Sequence, residues 1–300
     1  MVLNIKRASS LEETPMELHD ILKPFVHQVG GHTPFTSLPN GHLLKPCDER
    51  ELHFYQQMPE HLKVIAPLCC TTIQGGSVRN LASCCVHCKT QQLENVVIPE
   101  SIEGSPILNK RKLSKNFIVL SDLTYRMRSP RILDLKLGTR QHGDQATLEK
   151  VACMTAKCRS TTSATLGIRL CGMKYQCQMT QKQITYGKYE GRSMSELDLY
   201  ESLLRFFSIN SEIVEIVKRK LESIRLIIKK SFGVRLFGAS LLIVLEGDPS
   251  PSQSIDQLVQ IKIVDFANST FNGFLTDNFY EGPDDGSLLG IDTILRFLGV

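Results

Sequence analysis

Pro130-Arg131-Ile132-Leu133-Asp134-Leu135-Lys136-Leu137-Gly138-Thr139-Arg140-Gln141-His142-Gly143-Asp144 is the stretch on which the reading of this chain turns. Ile132, Leu133, Leu135 and Leu137 form a short apolar run, and from Leu133 onward it alternates with Asp134 and Lys136, as in a strand. The two charges stand two residues apart, so their side chains leave the same face. A carboxylate and an ammonium emerging from a buried strand are costly unless they pair or meet a ligand. The spacing alone equally suits a surface strand carrying an ion pair. Gly138 then lets the chain turn. Thr139, Arg140, Gln141 and His142 supply donors, and Asp144 stands where an N-cap would open a helix over 145–159.

Read as a string, Pro130-x-x-x-Asp134-x-Lys136-x-Gly138 resembles the PxxxDxKxG signature of the inositol polyphosphate kinase superfamily. The continuation from Thr139 to Asp144 is similar to the inositol hexakisphosphate kinase branch in particular. Other segments follow in the same order. Pro24 to His32 is similar to the PFxHQVGGH opening of that branch. Lys45-Pro46 and Arg50-Glu51-Leu52-His53-Phe54-Tyr55, with Pro59 after them, match KP and RExxFY. Ser160 to Met173 is close to STSATLGxRxCGM, and Lys188 to Arg192 follows the branch with Glu190 in place of an aromatic. Ser240-Leu241-Leu242 resembles SSLL with Ala239 replacing the first serine, and Val264-Asp265-Phe266 resembles IDF.

The resemblance implies an α+β, two-lobed inositol polyphosphate kinase fold, distantly similar to protein kinases, with ATP in the cleft between lobes. It implies ATP-dependent phosphorylation of inositol hexakisphosphate to diphosphoinositol pentakisphosphate, with Mg2+ as the metal. Asp134 and Lys136 are then the catalytic pair. Lys136 bridges the transferring phosphoryl and the attacking phosphate, while Asp134 orients substrate or Lys136 and serves as base if a hydroxyl is offered. Lys45, held by Glu51, grips nucleotide phosphates. The backbone of Asp122 and Leu123 reads the adenine edge, although Ser121 stands where the family commonly has an acid. Asp265, helped by Ser240, holds the metal. Arg140, His142, Lys150, Lys157 and Arg159 join Lys136 as candidates for the inositol phosphates. Two rivals remain: a multikinase acting on less phosphorylated inositols, and a non-catalytic scaffold that retains the fold.

Three hundred residues with ordinary apolar and charged fractions suit one large domain or two lobes. The reading divides them into a polar tail (1–20), an N-terminal lobe (21–121) with an irregular cysteine-rich region (66–114), and a C-terminal lobe (122–300). No apolar run is long enough to cross a bilayer, and residues 1–15 lack the apolar core of a secretory signal, so cytoplasm, nucleus or both are expected. The net charge of +4 is too small to argue for nucleic acid. The basic residues between Lys110 and Arg159 are interleaved with few aromatics, Phe117 and Tyr125, which disfavours RNA. The ten cysteines are expected to be mostly reduced thiols. Cys85 and Cys88 form one CxxC, with Cys84, Cys69 and Cys70 nearby, but no second CxxC or histidine pair follows at zinc-finger spacing.

Further readings concern elements. Phe25 to Val29 reads as strand before the Gly30-Gly31 turn, His42–Pro46 as strand, and Glu49 onward as helix. Asn95–Ile98 is a short apolar run, 99–115 a loop, and Asn116–Leu120 a buried strand. Ser193 with Glu196 reads as a capping box for a helix through Phe207. Ser211–Lys230 reads as a helix with Ile213, Ile216, Val217, Leu221, Ile224 and Ile228 on its apolar face. Leu236–Leu245 and Val259–Phe266 read as strands, and Ser287–Leu298 as a helix.

Overall fold

The computed structural model describes residues 23–31, 33–38, 41–81, 116–250 and 252–300. The chain divides into two compact units, the first from 1–28, 32–56 and 68–122, the second from 29–31, 57–67 and 123–300. The passage between them falls one residue after the expected boundary, and two short internal stretches sort with the second unit. The tail, the run at 95–98, the loop at 99–115, and Cys84, Cys85 and Cys88 lie outside the described residues.

The first unit is built on an antiparallel sheet. Its order is β1 (Lys23–Pro24), β2 (Thr36–Leu38), β3 (His42–Cys47), β6 (Asn116–Ser121), β4 (Cys69–Gln74) and β5 (Ser77–Asn80). In β6 the run Ile118, Val119 and Leu120 is buried at the middle of the sheet. Part of the cysteine-rich region is therefore regular: β4 and β5 form a hairpin whose turn, Gly75-Gly76, has positive φ at both residues. That geometry suits the twist of a two-residue hairpin. Helix α1 (Glu49–Gln57) starts where the Asp48 carboxylate accepts the Glu51 amide at 2.7 Å, and it buries Leu52, Phe54 and Tyr55. The strand expected from Phe25 to Val29 does not form. Gln28 bonds with its side chain to the Thr33 carbonyl and the Phe35 amide, at 2.9 and 3.0 Å, so the segment is closed as a turn.

The second unit carries an antiparallel sheet in the order β11 (Val259–Val264), β10 (Ser240–Glu246), β7 (Pro130–Leu137), β8 (Ile168–Gln176), β9 (Gln183–Tyr186). β7 is the central strand, and Arg131 through Leu135 are buried. Between Asp134 and Leu135 the pairing with β8 shifts, so Cys171 is an extra residue on that strand, a bulge. At the β11 edge the Ile263 amide donates to the Ile65 carbonyl at 2.7 Å, and Lys262 Nζ to the Val64 carbonyl at 2.7 Å. Residues just after helix α2 (Glu60–Lys63) thus cover backbone that an edge strand would leave bare.

Helices surround this sheet. α3 (Leu148–Arg159) is capped by Thr147, whose hydroxyl accepts the Lys150 amide. Asp144 is therefore not its cap, because its carboxylate is taken by Arg140 and Tyr280. α4 (Ser163–Leu166) is a single turn, and α5 (Lys188–Ser193) ends at the serine expected to open the next helix. The capping box belongs instead to Ser195 and Asp198, at the start of α6 (Glu196–Phe207). α7 (Ser211–Lys230) buries the six apolar residues of its stripe. β10 starts later than Leu236 because Gly238, at φ +71, turns the chain before Ser240. α8 (Ile255–Leu258) leads into β11, which stops at Val264, one residue before a left-handed Asp265. α9 (Asp285–Phe297) is capped by Asp284, which accepts the Ser287 amide and hydroxyl. None of the described helices is long and apolar enough to cross a membrane.

Candidate active site

The sheet of the second unit gathers the charges. Lys136 on β7 pairs in register with Ser240 on β10 and Arg169 on β8, and Ser240 pairs with Val264, next to Asp265. The Lys136 Nζ donates to the Gly238 carbonyl at 2.6 Å and lies 3.4 Å from Asp265 Oδ2. Lys136 is largely covered, while the Asp265 side chain is 46% exposed. Asp265 sits at φ +70, a conformation that non-glycine residues adopt at a cost and that functional sites often retain. Burial works against the Lys136 charge, but Asp265, Cys171 and Asp134 outweigh it and hold the ammonium above its ordinary pKa.

Asp134 is buried two residues upstream on the same face. Burial raises its pKa against the opposing pull of Lys136, a hydrogen bond from Ser240 and the charge of Arg169. Its Oδ1 has no hydrogen-bond partner. The main chain of Gly30 lies directly over it: a Cβ at Gly30 would fall 1.8 Å from Asp134 Oδ2. The neighbouring Val29 carbonyl would meet a Cβ at Gly172 at 2.1 Å. Residues 29–31 therefore pack on β7 and β8 only because both positions are glycine. The Gly-Gly pair is visible in the sequence, but nothing there says which carboxylate it covers.

Each candidate residue has a place. In the first unit Lys45 and Glu51 form a buried ion pair at 2.6 Å, with Lys45 also 5.8 Å from the Phe35 ring centroid. The Asp122 amide donates to the Gly41 carbonyl at 2.8 Å, so that amide is spent within the unit, and Leu123 begins the second unit. The Ser121 hydroxyl accepts the Leu68 amide. Ser240, placed beside the metal by the sequence, is buried and hydrogen-bonded to Asp134.

The basic residues separate. Arg140 donates to Asp144 at 2.7 Å, to the Tyr280 hydroxyl and to the His142 carbonyl, and lies 4.0 Å from the Phe237 ring centroid. It is engaged internally, as the N-cap reading of Asp144 did not foresee. The His142 ring contacts the Gly143 carbonyl at 3.4 Å. Lys150 reaches Asn268, three residues after Asp265, at 3.5 Å. Lys157 lies two turns further along α3 on the same face, whereas Arg159 is rotated by roughly 200° from Lys157. Two of the three cations on α3 thus share a side and the third does not. Arg169 is buried, with its guanidinium 3.5 Å from the Ser163 hydroxyl.

Cys69 and Cys70 are buried thiols, with the Cys70 sulfur 3.6 Å from His42 Nε2. Burial pushes the nearby Cys47 thiol up to about 12. Among the described residues no three histidine, cysteine or acidic side chains gather as a metal cluster.

Comparison with known proteins accords with this geometry. The inositol hexakisphosphate kinase 1 of Mus musculus is 24% identical over 93% of both chains. The inositol hexakisphosphate kinase 3 of the same species is 33% identical over 61% of this chain and half of its own. Among solved structures, the inositol phosphate multikinase Ipk2 of S. cerevisiae, crystallised with ADP and Mn2+, superposes with a TM-score of 0.61. That match covers 86% of this chain and 97% of the yeast chain at 22% identity, a likeness of fold. Residues 117–299, more than half of the sequence and the whole span carrying Asp134, Lys136 and Asp265, match the inositol polyphosphate kinase family, and the chain belongs to it.

Proposed function

We propose that this kinase transfers the terminal phosphoryl group of ATP to inositol hexakisphosphate, giving a diphosphoinositol pentakisphosphate and ADP, with Mg2+ as its divalent ion. Relatives that align over most of this chain bear the name inositol hexakisphosphate kinase, and the yeast multikinase was solved with ADP and Mn2+. The observation that carries the substrate reading is the contrast between Asp134 and Lys136. Asp134 is buried beneath Gly30, a poor position from which to take a proton from a ring hydroxyl. Lys136 and the half-exposed Asp265 offer a cation and a metal-binding acid instead.

That equipment suits a nucleophile already charged. A phosphate monoester loses its second proton with a pKa of about 6, so near neutral pH its oxygens need no strong base. The barrier lies in bringing anions together, which calls for fixed positive charge and alignment. Lys136 supplies that charge where the phosphoryl group passes, and Asp134 holds Lys136 electrostatically. Lys45, fixed by Glu51, is the cation for nucleotide phosphates, with the Asp122–Leu123 backbone reading the base. Lys150, Lys157 and His142 face the inositol phosphates.

The donor set fits magnesium, which prefers one or two carboxylates and completes its shell with water and substrate phosphates. Asp265 would hold it, and Ser240 would act through Asp134. When bound, the ion neutralises charge on the nucleotide phosphates.

The test is purified chain with Mg2+, ATP and inositol hexakisphosphate, in competition with less phosphorylated inositols, with products resolved by charge. A diphosphoinositol product is expected. Faster turnover of a less phosphorylated inositol would overturn the reading in favour of a multikinase, and no turnover of any would favour a scaffold. Lys136→Ala should lower kcat by ~100-fold or more with the fold retained, on the scale of losing one preorganised charge-stabilising donor. Near-normal kcat would refute its role.

A further inference from the structure

Lys136 pairs with Asp265 only at long range and is held more closely by main chain. Its ammonium is 2.6 Å from the Gly238 carbonyl and 3.4 Å from the carboxylate, beyond the usual length of a charge-assisted hydrogen bond, about 2.7–2.9 Å. The Gly238 carbonyl therefore sets where the ammonium points. Gly238 itself is tightly placed: at φ +71, a Cβ there would meet the Gln141 carbonyl at 2.8 Å and the Asn268 side chain at 2.9 Å.

The turn is tied by the Ala239 amide to the Leu236 carbonyl and by the Leu236 amide to Asp284, and its remaining anchor is the side chain beside Gly238. Phe237 is buried, with the Arg140 guanidinium 4.0 Å from its ring centroid and the Tyr280 ring packed edge-on, centroids 5.7 Å apart. Both partners converge on one carboxylate. Asp144 Oδ1 accepts from Arg140 at 2.7 Å and from the Tyr280 hydroxyl at 2.5 Å, and Oδ2 accepts the Asn278 amide at 3.1 Å. The Asp144 side chain is 2% exposed. Tyr280 is held in turn by Asn272, which bonds to both its amide and its carbonyl at 2.9 Å. A buried carboxylate with three donors, two of them gripping one ring, makes a rigid clamp. The clamp joins the loop after the catalytic strand to the loop that precedes α9.

We infer that Asp144, acting through Arg140 and Tyr280, is a positioning residue that fixes the Phe237–Gly238 turn and so aims the Lys136 ammonium. The inference rests on the proposed role of Lys136 and gives Arg140 a task other than binding substrate. Loosening the clamp frees the ammonium from Gly238 and lets it collapse onto Asp265, with the substrate contacts left in place. Arg140, Asp144 and Tyr280 then behave as one unit.

The experiment is a double-mutant cycle with Asp144→Asn and Arg140→Gln, alongside Tyr280→Phe, which removes only a hydroxyl. It is run on whichever inositol phosphate the wild-type chain turns over fastest, so failure of the substrate reading leaves it intact. Each charge variant should lower kcat by ~10-fold or more with KM within about twofold, and the double variant should be no worse than the poorer single by more than ~twofold. Tyr280→Phe should show a smaller loss of the same kind, which keeps the test open if a charge variant folds poorly. Hydrogen exchange of a peptide spanning 234–240 should speed up in all three, while β8 and β9 stay protected. This readout needs no activity. The inference is overturned if Arg140→Gln raises KM while Asp144→Asn lowers it, the signature of a substrate arginine. It is equally overturned by additive losses, or by unchanged exchange at 234–240.

Discussion

Asp134 is a carboxylate in the central strand of a sheet, and the molecule surrounds it with a serine hydroxyl, two cations and the main chain of Gly30. Burial outweighs the cations, so its proton is held more tightly in the folded chain than in the unfolded one. The sign follows from linkage. Stability falls as pH rises from the ordinary aspartate value, about 3.9, through the raised folded value, and stays lower above it. Asp134→Asn removes that loss, so its melting temperature relative to wild type should climb as pH increases above about 4. A difference flat with pH would contradict the assignment. Lys136 adds no slope near neutrality, because a raised lysine loses its stabilising charge only at alkaline pH. Asp134, Lys136 and Asp265 were legible as a set because each sits in a motif. Arg140 was legible as a cation, but the second donor on its carboxylate partner was not, since Tyr280 reaches Asp144 from a loop 136 residues away.

At the scale of elements, local pattern decided most helices. The stripe of α7 lies buried as its spacing predicts, since an amphipathic helix of twenty residues has one face to hide. The same geometry divides the cations of α3. Lys150 and Lys157 share a face, and Lys150 reaches toward the loop that follows Asp265. Lys150→Ala and Lys157→Ala should therefore each raise KM for the inositol phosphate several-fold and flatten its salt dependence, while Arg159→Ala leaves both near wild type. Equal effects at all three positions would show that a diffuse positive field, not a face, holds the substrate. Boundaries were harder to read. The helix expected from residue 145 opens at Leu148 because Asp144 is drawn to Arg140 and to the distant Tyr280 hydroxyl, leaving Thr147 to cap. The strand expected from Leu236 starts at Ser240 because Gly238 turns to meet Lys136.

At the scale of the whole molecule, the second unit is not one continuous piece of chain. Residues 57–67 cover the β11 edge through the Ile65 and Val64 carbonyls, and residues 29–31 lie on Asp134 and Gly172. The fragment 123–300, expressed alone, should therefore melt at a lower temperature than the same unit in the full chain and tend to associate through its bare strand edge. Thermal unfolding followed by circular dichroism, with sizing by gel filtration, reads this out. A monomeric fragment as stable as the full chain would show that the two excursions contribute nothing. What the sequence by itself determined was the family and the strands and helices whose periodicity is strong. Those are set by local alternation, helical spacing and strings of neighbouring residues. Only the tertiary structure decided that Gly30 covers Asp134 and that the Gly238 carbonyl takes the Lys136 ammonium. Each of these joins groups distant in sequence, through main-chain carbonyls and glycine clearances that leave no periodic trace along the chain.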